Sequence, residues 1–174
     1  MDRLAIRILR GHEWQAYRDA RLRSLADSPD AFGSTLAAEQ ERTPDAWAAR
    51  LGAAAVSGQD YPLIAELDGA VVGLVWARLD ATTPSVVNVF QMWVAPESRG
   101  RGVAATLLRA AIGWARSRNA RVVQLGVTCG DTSAVRLYVR EGFETFGAPE
   151  PLRAGSPLLS QTMRLAIEQG ADSD

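Results

Sequence analysis

The spacing of apolar residues changes several times along the chain. Leu4 to Leu9 alternates and predicts a first strand, ended by Gly11. From 14 to 26, Trp14, Tyr17, Arg21, Leu22 and Leu25 recur at helical intervals, and Ser28-Pro29-Asp30 stops that helix. Two further helical stretches follow, 34–42 and 44 to about 55, the second opening with Pro44 in a favoured first-turn position. The hairpin is plainest: 63–67 and 70–79 flank Asp68-Gly69, a pair that readily takes the left-handed turn of a two-residue loop. After a turn at 82–85, Val86 to Val94 reads as a long strand closed by Pro96.

The second half predicts a helix over 102–118 and a strand over 121–127, whose unbroken β-branched run suggests burial on both faces. A helix over 132–141 follows, capped by Asp131 or Thr132 and stopped by Gly142. Two last strands, 143–146 and 160–165, are separated by a loop over 147–157 rich in Pro and Gly. This order implies an α+β fold with one βαβ crossover. At 174 residues, a single domain over 1–174 is expected. Within it, 1–62 holds the first strand and helices, 63–130 the hairpin and central strands, 131–167 the last helix and strands, and 168–174 a polar, frayed tail.

Composition narrows the function. No run of about 20 apolar residues offers a membrane span, and the charges of Asp2, Arg3, Arg7 and Arg10 break any secretory leader, so a cytoplasmic protein is expected. Cys129 is the one cysteine and His12 the one histidine, too few for a His/Cys zinc site, and no metal is expected. A net charge of -1 lacks the electrostatic footprint of a nucleic-acid binder. All 19 basic side chains are arginine, which excludes a P-loop, since that motif requires lysine.

Phosphate chemistry nonetheless has a candidate in Val94-Ala-Pro-Glu-Ser-Arg-Gly-Arg-Gly-Val-Ala-Ala105, which joins a strand to a helix. Gly100 and Gly102 permit a tight turn and close approach of an anion, and the first amides of the helix have no internal partners. Arg99 and Arg101 add positive charge. The glycines also satisfy the dinucleotide fingerprint through Ala105, but no acidic residue follows about twenty positions later.

Two motifs carry a family resemblance. Arg99-x-x-Gly102-x-Ala104 matches the [QR]-x-x-G-x-[GA] loop of the GNAT acetyltransferase superfamily, and Asp131 to Phe143 resembles its second signature, N-x-x-A-x-x-L-Y-x-x-x-G-F. The resemblance implies a mixed, largely antiparallel twisted sheet of 6–7 strands in an α/β/α arrangement, with helices on its flanks and a splayed central strand pair. It implies acetyl-CoA as cosubstrate, a primary amine as acceptor, and direct attack within a ternary complex. The cofactor would contact backbone of Met92, Trp93 and Val94, the loop residues Arg99, Gly100, Arg101, Gly102, Val103, Ala104 and Ala105, then Asp131 and Tyr138. The Met92 amide would hold the oxyanion of the intermediate, and Tyr138 would protonate the departing thiolate. Homodimers are common in the family.

Two departures stand out: Asp131 replaces the usual Asn, and Gly126 occupies a position where several members place a basic Glu. Base duty then falls to water near Gln91 or to Glu39, although Glu39 reads more readily as a solvated helix charge than as a base. The departures also suit a catalytically weak acyl-CoA sensor; an NAD(P)-dependent oxidoreductase is a more distant alternative. Trp14, Phe32, Trp47, Trp76, Phe90 and Trp93 are candidates for either an acceptor pocket or the core.

Overall fold

In the computed structural model, which describes residues 3–168, alternation and helical periodicity resolve into thirteen principal elements. These are β1 (Leu4–Ile8), α1 (Trp14–Asp27), α2 (Leu36–Gln40), α3 (Pro44–Ser57), β2 (Asp60–Leu67), β3 (Ala70–Leu79), β4 (Val86–Val94), α4 (Val103–Ser117), β5 (Val122–Thr128), α5 (Thr132–Arg140), β6 (Glu144–Thr145), β7 (Glu150–Pro151) and β8 (Leu159–Ala166). Single 3-10 turns lie at Pro29–Ala31 and Pro96–Ser98. The tail expected at 168–174 falls, past residue 168, outside the described residues.

The sheet order is β1-β2-β3-β4-β5-β8-β6, with β7 also on β8. Among the described residues only β4 and β5 run parallel, joined by the α4 crossover. Local chemistry explains the boundaries. Thr43 caps α3 by accepting from the Ala46 amide at 3.1 Å, ahead of Pro44. Asp68 and Gly69, with φ of 51° and 85°, make the turn that keeps β2 and β3 in register.

The sheet is covered on both faces where β2 and β3 run through it. Along β2, Leu63 and Ala65 pack under α4 with Leu107, Leu108 and Ala111, while Ile64 between them packs with Leu9, Tyr17, Trp47 and Leu51 beneath α1 and α3. Trp47 and Trp76 belong to this second core rather than to a pocket.

Two expectations need correction. The sheet has eight strands rather than 6–7, because the loop over 147–157 contains β7, a two-residue strand too short to leave a periodic trace. And β5 is not buried on both faces: Val123, Leu125 and Val127 enter the core, but Gly126 is exposed and Gln124 half-buried. That side carries a chain of cross-strand hydrogen bonds, from Arg164 to Gln124 (3.0 Å), from Gln124 to Asn88 (2.7 Å) and from Asn88 to Asp80 (2.9 Å), and at its end Thr128 donates to the Asp30 carbonyl of the 3-10 turn at 2.7 Å.

At the foot of α1, the Glu13 carboxylate accepts from Arg7 at 2.7 and 2.9 Å and from the Arg10 amide at 2.7 Å, while Arg7 Nε turns to Glu66. The Arg7 hydrogen bonds, helped by the Arg10 amide and opposed by burial, pull the Glu13 carboxyl from 4.5 down to about 2. A depressed folded pKa stabilises the fold above the unfolded value and is lost as pH falls through the folded one. Stability should therefore decline between pH 4.5 and 2, and Glu13→Gln should flatten that decline in urea unfolding measured across this range.

Candidate active site

β4 and β5 pair only from Val86 with Val122 to Val89 with Leu125. Beyond that point β4 is deflected by a bulge. Its pairing with β3 steps from Trp76 opposite Phe90 to Leu74 opposite Trp93, so that Val75 alone faces both Gln91 and Met92. Gln91 carries the strain, with φ of 58° at a residue that has a side chain. The hydroxyl of fully buried Tyr17, on α1, donates to Gln91 Oε1 at 2.8 Å and holds the bulge.

The strands thus diverge into a cleft whose cavity measures about 890 Å³. Its lining includes the Met92–Val94 segment, the turn into α4, and Asp131 and Tyr138 from α5. Of the residues expected to bind cofactor or act in catalysis, only Arg101 and Glu39 lie outside the lining.

The turn into α4 is built by Gly100 and Gly102, with φ of 77° and 79°. Gly102 is the N-cap and supplies no side chain to the first-turn amides of the 15-residue α4. A Cβ placed on either glycine would meet nothing within 4 Å, so the space before these amides is open. Backbone donors with a favourable helix dipole, facing open space, fit a pyrophosphate.

Arg99 is held at the rim rather than pointing freely inward. Its Nε donates to the Val94 carbonyl at 3.0 Å and its Nη2 to Asp27 Oδ2 at 2.5 Å. The same Asp27 oxygen accepts from Trp93 Nε1 at 2.9 Å. Burial pushes the Asp27 carboxyl up, but the hydrogen bonds from Trp93, Ser28 and Arg99 outweigh it and hold the pKa below the ordinary value. Asp27 therefore ties the end of α1 to β4 and to the glycine turn.

Asp131 caps α5, accepting from the Ala134 amide at 3.3 Å. The other end of α5 closes in a Schellman arrangement: the Phe143 amide donates to the Tyr138 carbonyl at 2.9 Å and the Gly142 amide to that of Val139 at 3.0 Å. Gly142, at φ 97°, permits this turn, which brings the Phe143 ring to 5.9 Å from that of Tyr138. The Gly-Phe pair of the motif is thus a helix stop that seats the tyrosine. Tyr138 is 6% exposed, and burial, reinforced by the charge of Asp131, pushes its phenol up to about 12.

Glu39 is buried at 4% exposure rather than solvated, its carboxylate 2.9 Å from Arg42 and 3.5 Å from Arg50. Phe32, Phe90 and Trp93 do line the cavity. Sequence reasoning missed Arg21, Ser133 and Arg140 in the lining, and the return of Leu152, positioned by Arg153 donating to the carbonyls of Phe32 (3.2 Å) and Pro29 (3.1 Å). Among the described residues there is no cluster of metal-ligating side chains, and no helix is long and apolar enough to cross a membrane.

Residues 14–143 match the model of the Acetyltransferase (GNAT) family. The chain is 30% identical over 137 residues to mycothiol acetyltransferase of Thermobispora bispora, covering 76% of this chain and 43% of that protein. It is 35% identical over 105 residues to human N-acetylaspartate synthetase, covering 60% of this chain and 34% of that protein. The chain spans less than half the length of these curated relatives. In fold it is similar to a GNAT-family acetyltransferase of Streptococcus pneumoniae, with a TM-score of 0.79 at 23% identity, covering 95% of this chain and 100% of that one. YncA of Salmonella typhimurium, solved with acetyl-CoA as its cofactor, aligns with a TM-score of 0.78 at 21% identity over 99% and 98% of the two chains.

Gly102→Val should abolish binding of coenzyme A in isothermal titration, because its side chain would fill the open space before α4. Forcing a branched residue to positive φ should also lower stability by about 1–2 kcal/mol in urea unfolding.

Proposed function

Because the chain belongs to the acetyltransferase (GNAT) family, we propose that it transfers the acetyl group of acetyl-CoA to a primary amine, of a small molecule or a peptide N-terminus, by direct attack in the β4–β5 cleft. The observation that carries this reading is a single cavity reached at once by the bulged backbone of β4, the glycine turn before α4 and the hydroxyl-bearing face of α5. The cosubstrate supplies an activated thioester, and the chain's own residues do the rest.

The turn from Arg99 to Ala105 takes the pyrophosphate on main-chain N–H groups, for which the helix dipole adds attraction. Met92 lies past the last β4–β5 pair, in the segment of β4 that lines the cavity, and its amide is the donor assigned to the developing oxyanion. Tyr138 stays protonated at working pH because burial and Asp131 both penalise its phenolate. A thiolate formed in the same apolar cleft is also penalised, which brings the two proton affinities together and lets Tyr138 act as general acid. Asp131, in place of Asn, thus caps α5 and adds its charge to the burial that raises the Tyr138 phenol.

No carboxylate other than Asp131 lines the cavity among the described residues, and Glu39 is engaged by Arg42 and Arg50. We assign deprotonation of the amine to water ordered at Gln91. An amine of pKa about 7.8 is already neutral in about one molecule in seven at pH 7, and a more basic acceptor relies correspondingly more on that water.

Tyr138→Phe removes the donated proton and little else. The kcat for thiol release should fall about 100-fold, with the dissociation constant for acetyl-CoA nearly the same by calorimetry. Unaltered kcat, where chemistry limits the rate, would return Tyr138 to a packing role.

A further inference from the structure

The one buried side-chain polar atom without a hydrogen-bond partner among the described residues is Arg21 Nε. Arg21 sits mid-way along α1, is 3% exposed and lines the cavity. Its guanidinium lies over the Phe32 ring, 4.6 Å from the centroid, and Nη1 makes one long hydrogen bond of 3.4 Å to Ser24 Oγ. No acidic group of the described residues forms an ion pair with it. The carboxylate that acts on it electrostatically, Glu39, is occupied by Arg42 and Arg50, leaving three guanidinium groups to one carboxylate in this region. A buried cation in this state is costly to the fold unless a ligand completes it.

The vacant edge is specific. One face of the guanidinium is stacked and Nη1 is held by Ser24, so the side that makes no hydrogen bond to protein is the Nε/Nη2 edge, the one that grips a planar oxyanion with two parallel hydrogen bonds. Its place along the cavity also matters. Asp27, at the end of α1, touches Arg99 beside the glycine turn, and Tyr17 touches Gln91 at the bulge. Arg21 is six residues before Asp27, about 9 Å back along the helix towards the bulge. It therefore stands at the end of the cavity away from the phosphate turn, where an acceptor would meet the thioester.

We infer that Arg21 is a specificity residue that binds a carboxylate carried by the acceptor amine, so that the preferred substrates are small amino acids rather than neutral amines or the N-termini of proteins. This rests on the acetyltransferase reading above and names the acceptor class for it. The carboxylate neutralises Arg21 and, by the same contact, orients the amine towards Met92; no covalent step is added to the transfer.

The test compares matched acceptors in the thiol-release assay with the full chain: amino acids against their carboxamides, against the corresponding aminophosphonates, and against short peptides with amidated C-termini. Acetyl-CoA affinity is measured separately by calorimetry. The free acids should exceed their amides by about 100-fold in kcat/KM. Arg21→Lys, which keeps charge but not the fork, and Arg21→Met should raise the acceptor KM and erase most of that ratio, leaving the acetyl-CoA dissociation constant as it is in wild type. Arg21→Met should also melt higher than wild type, since an uncompensated buried charge is gone; a lower melting temperature would make Arg21 structural and overturn the assignment. Aminophosphonates that outperform the carboxylates would overturn the carboxylate in favour of a tetrahedral oxyanion. Equal turnover of acids and amides, or a preference for amidated peptides, would overturn the inference while leaving acetyl transfer intact. If acetyl-CoA binds but no amine of any class is acetylated, both readings fall.

Discussion

Everything at this site depends on two neighbouring parallel strands being unable to stay together. β4 and β5 share a ladder over four residue pairs and then part, because an extra residue in β4 bends it away from its neighbour. The bend holds a non-glycine residue in a left-handed conformation, a cost of about 1–3 kcal/mol that persists only when the surroundings enforce it. Here the enforcement is one hydroxyl, that of Tyr17, anchored by Trp47 and Trp76 packed edge-on at 5.6 and 5.2 Å. The aromatic cluster under α1 and α3 is thus part of the reason a cleft exists on the sheet's far side of the bulge.

The same divergence organises the polar groups. Main-chain N–H and C=O groups that a continuous sheet would have paired are left to face a common space, and the first turn of α4 opens onto it as well. Asp131 and Tyr138 approach from the opposite wall on a helix of only nine residues, whose two ends are fixed by a side-chain cap and a glycine-mediated stop. A short helix with both ends closed is a rigid mount, and rigidity is what a proton donor needs.

Much of this was legible in the residues. The Asp68-Gly69 turn, the glycines before α4 and the Leu-Tyr-x-x-x-Gly-Phe run each encode local geometry in nearby sequence, and each forms the expected structure. The bulge was not legible, since Val86 to Val94 reads as one uninterrupted strand and the contact that distorts it comes from 74 positions away. Arg21 was hidden for a related reason: on a helix it occupies an ordinary spacing, and only tertiary packing shows it to be enclosed. Glu39 likewise reads as a surface charge until the paired guanidinium groups of Arg42 and Arg50 are seen around it. β5 misled because its apolar run predicts burial, whereas which face receives a helix is decided by topology, not by the strand.

Asp27 has a consequence for how two ligands could sense one another. A single carboxylate oxygen bridges the last turn of α1, the indole of β4 and the guanidinium at the mouth of the glycine turn. A force on the helix from one side and on the turn from the other meets at that atom, so displacing either partner draws on the same hydrogen bonds. Wherever such a shared joint is strained by one guest, the other feels it to an equal extent, because coupling free energy between two sites is reciprocal.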